Sequence, residues 1–322
     1  MSACNDYQLG ERAGLEYTKQ TTAEEVLQGF DLTGQVALVT GCTNGIGYET
    51  MRVLAQQGAH VLATGRTLEK MQGAAAGLRG QISPLALELT DLASVRRCAQ
   101  EVAHRGLVPD IVICNAGIDN FGGIEFIAGI EKVFFANFLG HFVLVNQVLP
   151  GMVARGSGRV VHVSSNAAYL RGSKGVPEAG IDFDNLRGEG VFSAPQAYAR
   201  SKLANALFSL ALANRLKHSG VTSNALHPGS IYTNIAHSAP LEMREAIKRW
   251  APKLLTPAQG ATTQVYVATH PDLARVSGQF FEVCKPVEVE HPHFLNDLEM
   301  AERLWQEADA MVSQVANHMP GG

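Results

Sequence analysis

The sequence predicts a single doubly wound α/β domain, in which a mostly parallel sheet of about seven strands is flanked by helices on both faces. Short apolar runs rich in β-branched residues alternate with segments that repeat apolar residues at helical spacing. A glycine-rich turn joins the first of these strands to the first helix. The 322 residues show no internal repeat, low-complexity tract or linker, so they are assigned to one domain.

Strands and helices are predicted in regular alternation along the chain. The strand candidates are 34–41, 60–64, 82–89, 110–117, 159–165, 222–229 and 278–283. The helix candidates are 45–57, 69–79, 91–105, about 125–152 and about 196–216, with Asp91 as the N-cap of the third. Strands that alternate with helices are connected by crossovers, and crossovers give a parallel sheet.

The domain is predicted to occupy residues 33–290, between a polar leader at 1–32 and a helical tail at 291–322. Two segments interrupt the alternation, at 171–195 and at 230–257, and the second contains a short predicted helix. Both follow strands, where ligands bind in open α/β sheets, so they are predicted to cover the substrate. The leader lacks the apolar run of a signal peptide or membrane anchor, which predicts a soluble protein.

Composition and charge exclude several classes of function. Hydrophobic residues make up 46% of the chain and charged residues 17%, as in an ordinary globular protein. The net charge is only −4 and basic residues form no block with aromatic residues, so no nucleic-acid partner is predicted. The five cysteines are scattered without a CxxC pair, which argues against a disulfide framework or zinc site and favours a reducing, cytoplasmic location.

The glycine-rich turn is a candidate phosphate site. It reads Thr40-Gly41-Cys42-Thr43-Asn44-Gly45-Ile46-Gly47, between a predicted strand and a predicted helix. Gly41 permits a sharp turn, Gly45 lets the backbone approach a pyrophosphate, Gly47 allows close helix packing, and the helix N-terminus offers N–H groups. Thr43, Asn44 and Ile46 share this predicted cofactor contact. The alternative is a glycine-rich loop without a ligand.

The end of the second strand predicts which dinucleotide binds. A fold that prefers NAD places Asp or Glu there, about 20 residues beyond the glycine turn. This chain has Ala63-Thr64-Gly65-Arg66-Thr67, without a carboxylate. Arg66 can form charge-assisted bonds to a 2′-phosphate, which predicts NADP(H) in preference to NAD(H). The alternative is an arginine that only starts a helix.

Tyr198 and Lys202 form a candidate catalytic pair. They are four residues apart, so they share one helix face. A tyrosine with a pKa of about 10 is a poor base at neutral pH, but a nearby ammonium group and a cationic nicotinamide both favour the phenolate. Tyr and Lys at this spacing are also common on ordinary amphipathic helices, which is the alternative interpretation.

Taken together, these motifs resemble the short-chain dehydrogenase/reductase family, which implies a Rossmann fold. The resemblance covers 33–283 and rests on TGxxxGIG, Asn115-Ala116-Gly117, Asn137, Ser165, Tyr198-x-x-x-Lys202, and Pro228-Gly229 followed by Thr233. It implies that Tyr198 transfers a proton to or from the substrate oxygen and that Lys202 also binds the nicotinamide ribose. It further implies that Ser165 hydrogen-bonds the substrate oxygen and that Asn137 holds a water in a proton relay. Ser164 is a neighbouring candidate for the serine role.

The same resemblance implies further cofactor contacts. Asn115, Gly117, Pro228, Gly229 and Thr233 would contact the dinucleotide, together with Tyr198 and Lys202. The family usually has an Asp near the adenine, where this chain has Glu88, so that contact stays open.

The leader, the first insertion and the run NFLGHF are similar to the retinol-dehydrogenase-like group, which includes the WW-domain oxidoreductases and protochlorophyllide reductases. This similarity implies a hydrophobic alcohol or ketone of retinoid, steroid, polyketide or aromatic type. Reduction of a C=C bond and a non-catalytic NADP-binding regulatory role are the alternatives. By resemblance, a homodimer is predicted through the long helix 125–152 and the helix that carries Tyr198, because each is apolar on more than one face.

Overall fold

A computed structural model describes residues 16–120, 123–169, 176, 180–190, 193–231, 241–289 and 293–318. Its strands are β1 Val36–Val39, β2 His60–Gly65, β3 Gln81–Ala86, β4 Ile111–Cys114, β5 Phe126–Ile127, β6 Ile130–Glu131, β7 Gly158–Val163, β8 Val221–His227, β9 Phe280–Glu282 and β10 Lys285–Pro286. In these residues eight strands form one sheet in the order β10-β9-β8-β7-β4-β1-β2-β3, and β5 and β6 form a separate hairpin. All neighbours in the large sheet are parallel except β9 and β10. The predicted fold class is confirmed.

Helices cover the sheet. They are α1 Ala23–Val26, α2 Gly45–Gln56, α3 Leu68–Ala75, α4 Leu92–His104, α5 Lys132–Phe134, α6 Gly140–Arg155, α7 Ala194–Arg215, α8 Leu241–Trp250, α9 Pro257–Gly260, α10 Thr262–Thr269 and α11 Leu298–His318. The π-helical turn Phe135–Leu139 joins α5 to α6, so 132–155 is one continuous helix. Asp91 caps α4 by accepting a hydrogen bond from Ala93 N at 2.9 Å, as predicted.

The strand order creates the crevice that a ligand needs. From β1 the chain runs outward through β2 to β3, then returns to place β4 on the other side of β1. Ala37 therefore pairs with Val61 in β2 and with Ile111 in β4. The connections leave these two strands toward opposite sides, so a crevice opens beyond the carboxyl ends of β1 and β4.

Alternate side chains of the strands pack on opposite faces of the sheet. In β1, Leu38 belongs to one buried cluster, whereas Ala37 and Val39 belong to the other. All three side chains are inaccessible to solvent. Both faces are therefore covered by helices, as a continuous apolar strand predicts.

The long helix begins later than predicted. The sequence pattern starts it near Glu125, but β5 and β6 form a tight hairpin first, with positive φ angles at Ala128 (49°) and Gly129 (75°). The helix then starts at Lys132, where the carboxylate of Glu131 accepts hydrogen bonds from Val133 N and Phe134 N. In the described part of the chain this helix is long and apolar enough to cross a membrane, but 78% of its most apolar window is buried in the protein. It is a core helix.

The C-terminal helix α11 packs on the domain. Trp305 lies with its ring centroid 5.0 Å from that of Phe142 in α6 and 5.5 Å from that of Phe208 in α7. The guanidinium of Arg215 lies 4.0 Å from the centroid of Trp305 and also pairs with Glu302. The homodimer prediction assumes that these faces of the long helix and of α7 lack a partner in the same chain. Trp305 of α11 covers part of each of these faces within one chain, and the homodimer stays a prediction.

Candidate active site

The turn between β1 and α2 is built around two glycines. Gly41 has a φ of +74°, and a Cβ there would lie 2.9 Å from the Cβ of Ala116. A Cβ on Gly47 would clash with the carbonyl oxygen of Gly41 and with the amide of Asn115. That amide donates a hydrogen bond to Thr40 O at 2.8 Å, which joins the end of β1 to the end of β4. The glycines therefore let two strand ends and a helix start meet closely.

The N-terminus of α2 lacks a side-chain cap. Asn44 occupies the N-cap position in an extended conformation, and its side chain makes no capping hydrogen bond. The N-caps of α3 and α7, in contrast, accept hydrogen bonds from Lys70 N and Gln196 N. The first N–H groups of α2 are thus available to an acceptor in the crevice, together with the positive end of the helix dipole. These groups fit a pyrophosphate.

Arg66 lies at the end of β2, next to this turn. It is exposed and lines the same cavity as Gly65 and Thr43. Thr67 is engaged as the cap of α3, although its hydroxyl can still donate. Glu88 also lines the cavity, with one oxygen accepting hydrogen bonds from Thr90 N and Thr90 Oγ1 at 3.0 and 2.6 Å. Its contact with adenine stays a prediction.

One cavity of about 810 Å³ joins these elements. The predicted cofactor residues that line it are Gly41, Thr43, Asn44, Gly45, Ile46, Gly47, Arg66, Glu88, Asn115, Gly117, Tyr198, Lys202, Pro228 and Gly229. Thr233 lies outside the described residues, as do 171–175, 177–179 and 191–192 of the first insertion and 232–240 of the second. The described parts of the chain bring the glycine turn and the Tyr198–Lys202 pair to a single site.

Tyr198, Ser165 and Lys202 meet at the carboxyl ends of β7 and β8. Tyr198 is half-buried and lines the cavity, and Ser165 lies close enough to its hydroxyl to lower the pKa of the phenol. The ammonium of Lys202 lies 5.5 Å from the centroid of the Tyr198 ring and donates to Val163 O at 3.1 Å. Tyr198 and Lys202 both line the cavity; of the two serines at the end of β7, Ser164 lines it and Ser165 does not.

The geometry separates the two neighbouring serines. Ser164 donates its hydroxyl to Lys202 O at 2.6 Å, which ties α7 to the end of β7. Ser165 instead caps the short 3₁₀ helix Asn166–Ala168 by accepting from Ala167 N, and its hydroxyl reaches the phenol of Tyr198. Of the two hydroxyls, that of Ser165 is the one placed beside the phenol.

Burial dominates the titration of the pair. It raises the pKa of Tyr198, the negative charge of Asp119 raises it further, and the hydrogen bond from Ser165 lowers it. Burial also lowers the pKa of Lys202 to about 8, and Asp119 opposes that shift. The phenol is thus protonated at neutral pH, so it is a proton donor in this state of the site. The lowered tyrosine pKa that the sequence predicts concerns a site that also holds a cationic nicotinamide, and it stays a prediction.

Asn137 holds the loop beside the pair. Its side chain donates to Ile118 O at 2.9 Å and accepts from Ile118 N at 2.8 Å, and it also donates to Ser201 Oγ at 3.0 Å. Its backbone carbonyl accepts from His141 Nδ1 at 2.9 Å. These contacts fix the loop backbone next to Lys202, and they also satisfy a polar side chain in a buried helix. The water relay predicted for Asn137 stays a prediction.

Two residues near the site carry no prediction from the sequence. Asp119 lines the cavity two residues after Gly117, and a carboxylate directly after a strand end is a signal that could have indicated it. His141 is buried four residues after Asn137, where its Nε2 accepts from Thr40 Oγ1 at 2.8 Å. The spacing of four residues places it on the face of Asn137, but the Thr40 partner is visible only in the fold.

Comparisons with known proteins agree with this geometry. Residues 35–177 match the family model described as short chain dehydrogenase. The chain is 35% identical over 304 residues to short-chain dehydrogenase TIC 32 A, chloroplastic, of Brassica napus, covering 90% of this chain and 92% of that protein. It is 34% identical over 301 residues to human retinol dehydrogenase 14, covering 87% and 86%.

Solved structures give the same result. An uncharacterised protein from Mycobacterium paratuberculosis superposes with a TM-score of 0.67 at 28% identity, covering 88% of this chain and 95% of that one. A variant of actinorhodin polyketide ketoreductase with NADPH superposes with a TM-score of 0.61 at 26% identity, covering 76% and 94%.

Proposed function

The chain belongs to the short-chain dehydrogenase/reductase family and is an oxidoreductase of CH–OH and C=O groups that uses NAD(P); from this premise we propose that it is specific for NADP(H) and for a hydrophobic alcohol or ketone. Asn137, Ser165, Tyr198 and Lys202 would form its catalytic tetrad. The observation that carries the proposal is that Tyr198 and Lys202 line the same cavity as the uncapped start of α2.

The proton chemistry follows from the positions of the side chains. In carbonyl reduction, the substrate oxygen becomes more negative and requires a proton as the C–H bond forms. Tyr198 donates that proton from its protonated phenol, and Ser165 donates a hydrogen bond to the same oxygen. The positive charge of Lys202 stabilises the phenolate that remains. A bound nicotinamide supplies the hydride in this direction and accepts it in the reverse direction.

NADP(H) preference is supported by the end of β2. Arg66 is exposed, lines the cavity and follows a strand that ends without a carboxylate. A planar guanidinium at this position can bind a 2′-phosphate through two hydrogen bonds. An Asp or Glu at the same place would instead accept hydrogen bonds from the ribose hydroxyls of NAD and would repel a 2′-phosphate.

The substrate class is supported by apolar side chains near the pair. Ile118, Val133 and Ala136 line the same cavity as Tyr198, and apolar walls are typical of sites for hydrophobic ligands. The relatives include a retinol dehydrogenase and a polyketide ketoreductase. A cytoplasmic location is proposed as well, because Cys42, Cys98, Cys114 and Cys284 are buried free thiols.

A substrate and cofactor panel tests the proposal. Purified protein is incubated with NADPH or NADH and with retinoid, steroid, quinone and aromatic ketones, and the reverse reaction is run on the matching alcohols. Loss of absorbance at the nicotinamide band measures turnover, and product analysis separates C=O from C=C reduction. We expect turnover of at least one apolar ketone with NADPH preferred. Turnover only with NADH, or only of C=C bonds, would contradict the specific proposal.

A further inference from the structure

Asp119 is the feature that the proposed mechanism does not use. It follows β4 in the loop that Asn137 holds through two hydrogen bonds to the backbone of Ile118. Its Oδ1 accepts from Asn120 N at 2.8 Å, which fixes the carboxylate locally. The residue lines the cavity together with Tyr198 and Lys202. The fold therefore places a carboxylate, on a fixed piece of backbone, in the cavity that the catalytic pair also lines.

The ammonium group of Lys202 is buried, and a negative charge nearby would stabilise it. Only 3% of the residue is exposed, and its ammonium donates to one neutral acceptor, Val163 O, at 3.1 Å. Burying an ammonium group is costly unless a negative charge compensates it. Asp119 is the group whose charge favours the protonated form of Lys202. The same charge acts on the Tyr198 phenol, where it disfavours the phenolate.

Other titratable groups near the pair are neutral or already paired at neutral pH. Burial lowers the pKa of both His141 and His227 to about 4, so neither is charged. Acidic groups in the surroundings have partners of their own: Glu131 with Arg200, Glu125 with Lys132 and Glu282 with the hydroxyl of Tyr169. Of these carboxylates, Glu131 and Glu125 have basic partners and Glu282 has a hydroxyl partner, whereas Asp119 accepts a hydrogen bond from a backbone N–H.

We propose that Asp119 is a positioning residue that acts through the Tyr198–Lys202 pair, as the counter-charge that keeps the pair fully protonated at neutral pH. A fully protonated pair carries one positive charge, and a nearby carboxylate stabilises that charge. Because the two groups interact, the first proton leaves the pair as a unit with one macroscopic pKa. Asp119 raises the pH at which this proton is lost. It favours carbonyl reduction, which uses the phenol, over alcohol oxidation, which uses the phenolate.

This inference rests on the proposed function and is tested with the full chain and a ketone and alcohol from the panel. The pH profiles of kcat/KM are recorded in both directions for wild type, Asp119→Asn and Asp119→Glu. Glu125→Gln is the matched control, because it removes a carboxylate that lines the same cavity but is paired with Lys132 at 2.7 Å.

Asp119→Asn is expected to move the pH at which oxidation rises and the pH at which reduction falls to lower values together, by roughly one pH unit. Asp119→Glu and Glu125→Gln are expected to keep the wild-type profile. A uniform loss of rate, a change in KM alone, or an inactive but folded Asp119→Asn protein would overturn the proposal, because each indicates a structural or substrate-binding role. Asp119→Ser carries the same expectation as Asp119→Asn if the asparagine variant does not fold by circular dichroism.

The two proposals fail differently. Absence of turnover in the wild type with every substrate contradicts the proposed function. Turnover in the wild type with an unshifted Asp119→Asn profile contradicts only the role of Asp119.

Discussion

Replacing Tyr198 with Phe removes the group that the mechanism requires and little else. The aromatic ring packs against the buried cluster that contains Leu203 and Ala199, and phenylalanine keeps that packing. The hydroxyl loses one hydrogen bond to Ser165. Ser165 retains Asn166 Oδ1 at 3.3 Å and Ala167 N at 3.2 Å as partners, so no polar group is left without one.

These contacts set the expected magnitudes. Loss of one hydrogen bond whose partner stays satisfied costs about 1 kcal/mol of unfolding free energy. The substitution also removes the penalty of burying a hydroxyl, so the net change in stability is small. Loss of the proton donor raises the free energy of the transition state. A fall in kcat of about 100-fold corresponds to about 2.7 kcal/mol of activation free energy. Catalysis and stability are therefore expected to separate clearly.

The assay compares Tyr198→Phe with wild type on the best ketone from the panel. Initial rates give kcat, NADPH fluorescence gives cofactor affinity, and denaturant titration gives stability. We expect kcat to fall at least about 100-fold, with cofactor Kd and unfolding midpoint close to wild type. A Tyr198→Phe protein that keeps most of its kcat would refute the reasoning, because the proton would then come from another group.

Three further substitutions test other parts of the structure. Lys202→Met removes a positive charge that favours the phenolate and the proposed contact with the nicotinamide ribose. We therefore expect kcat and cofactor affinity to fall together and the pH optimum of oxidation to rise. Fluorescence titration and pH-rate profiles measure these changes. Arg66→Ala should lower kcat/KM for NADPH by about 10- to 100-fold, the loss of a charged hydrogen bond, without affecting NADH. Lys70→Ala, in the first turn of α3, is the control for Arg66→Ala. Equal losses of kcat/KM for NADPH in both variants would contradict the role of Arg66 in NADP(H) preference. Trp305→Ala should cost about 3–5 kcal/mol in denaturant titrations, independently of protein concentration, because its contacts lie within one chain; a concentration-dependent loss would indicate that the helix also packs between copies.

Local signals in the sequence predict most of the sheet. Each predicted strand is present, because short β-branched runs between glycines and helical segments leave few alternatives. The turn at Gly41 and Gly47 is equally local, since the same residues that break the strand also start the helix. The uncapped start of α2 follows from the turn as well, although the free side chain of Asn44 is seen only in the structure.

Local patterns do not predict which distant segments contact each other. The sequence marks 291–322 as helical, but the amphipathic pattern of α11 does not say which surface it covers. Trp305 meets Phe142 and Phe208 at sequence separations of 163 and 97 residues. Because periodicity identifies an apolar face and not its partner, the same pattern is consistent with a dimer and with a docked tail. The hairpin before Lys132 is not predicted from the sequence either, because its apolar residues continue the periodicity of the helix that follows.

The tyrosine pKa depends on the fold as well as on the spacing of the Tyr198–Lys202 pair. The spacing of Tyr198 and Lys202 places a positive charge near a phenol, and that contact alone lowers the phenol pKa. The fold adds two influences that the spacing does not contain, namely desolvation of the hydroxyl and the charge of Asp119, and both raise the pKa of the phenol. Lys202 is itself buried, and the desolvation that lowers its pKa to about 8 weakens its influence above that pH. A phenol that stays protonated is suited to donating a proton to a carbonyl oxygen, so we expect the rate of alcohol oxidation to rise with pH, which initial rates across a pH series would measure.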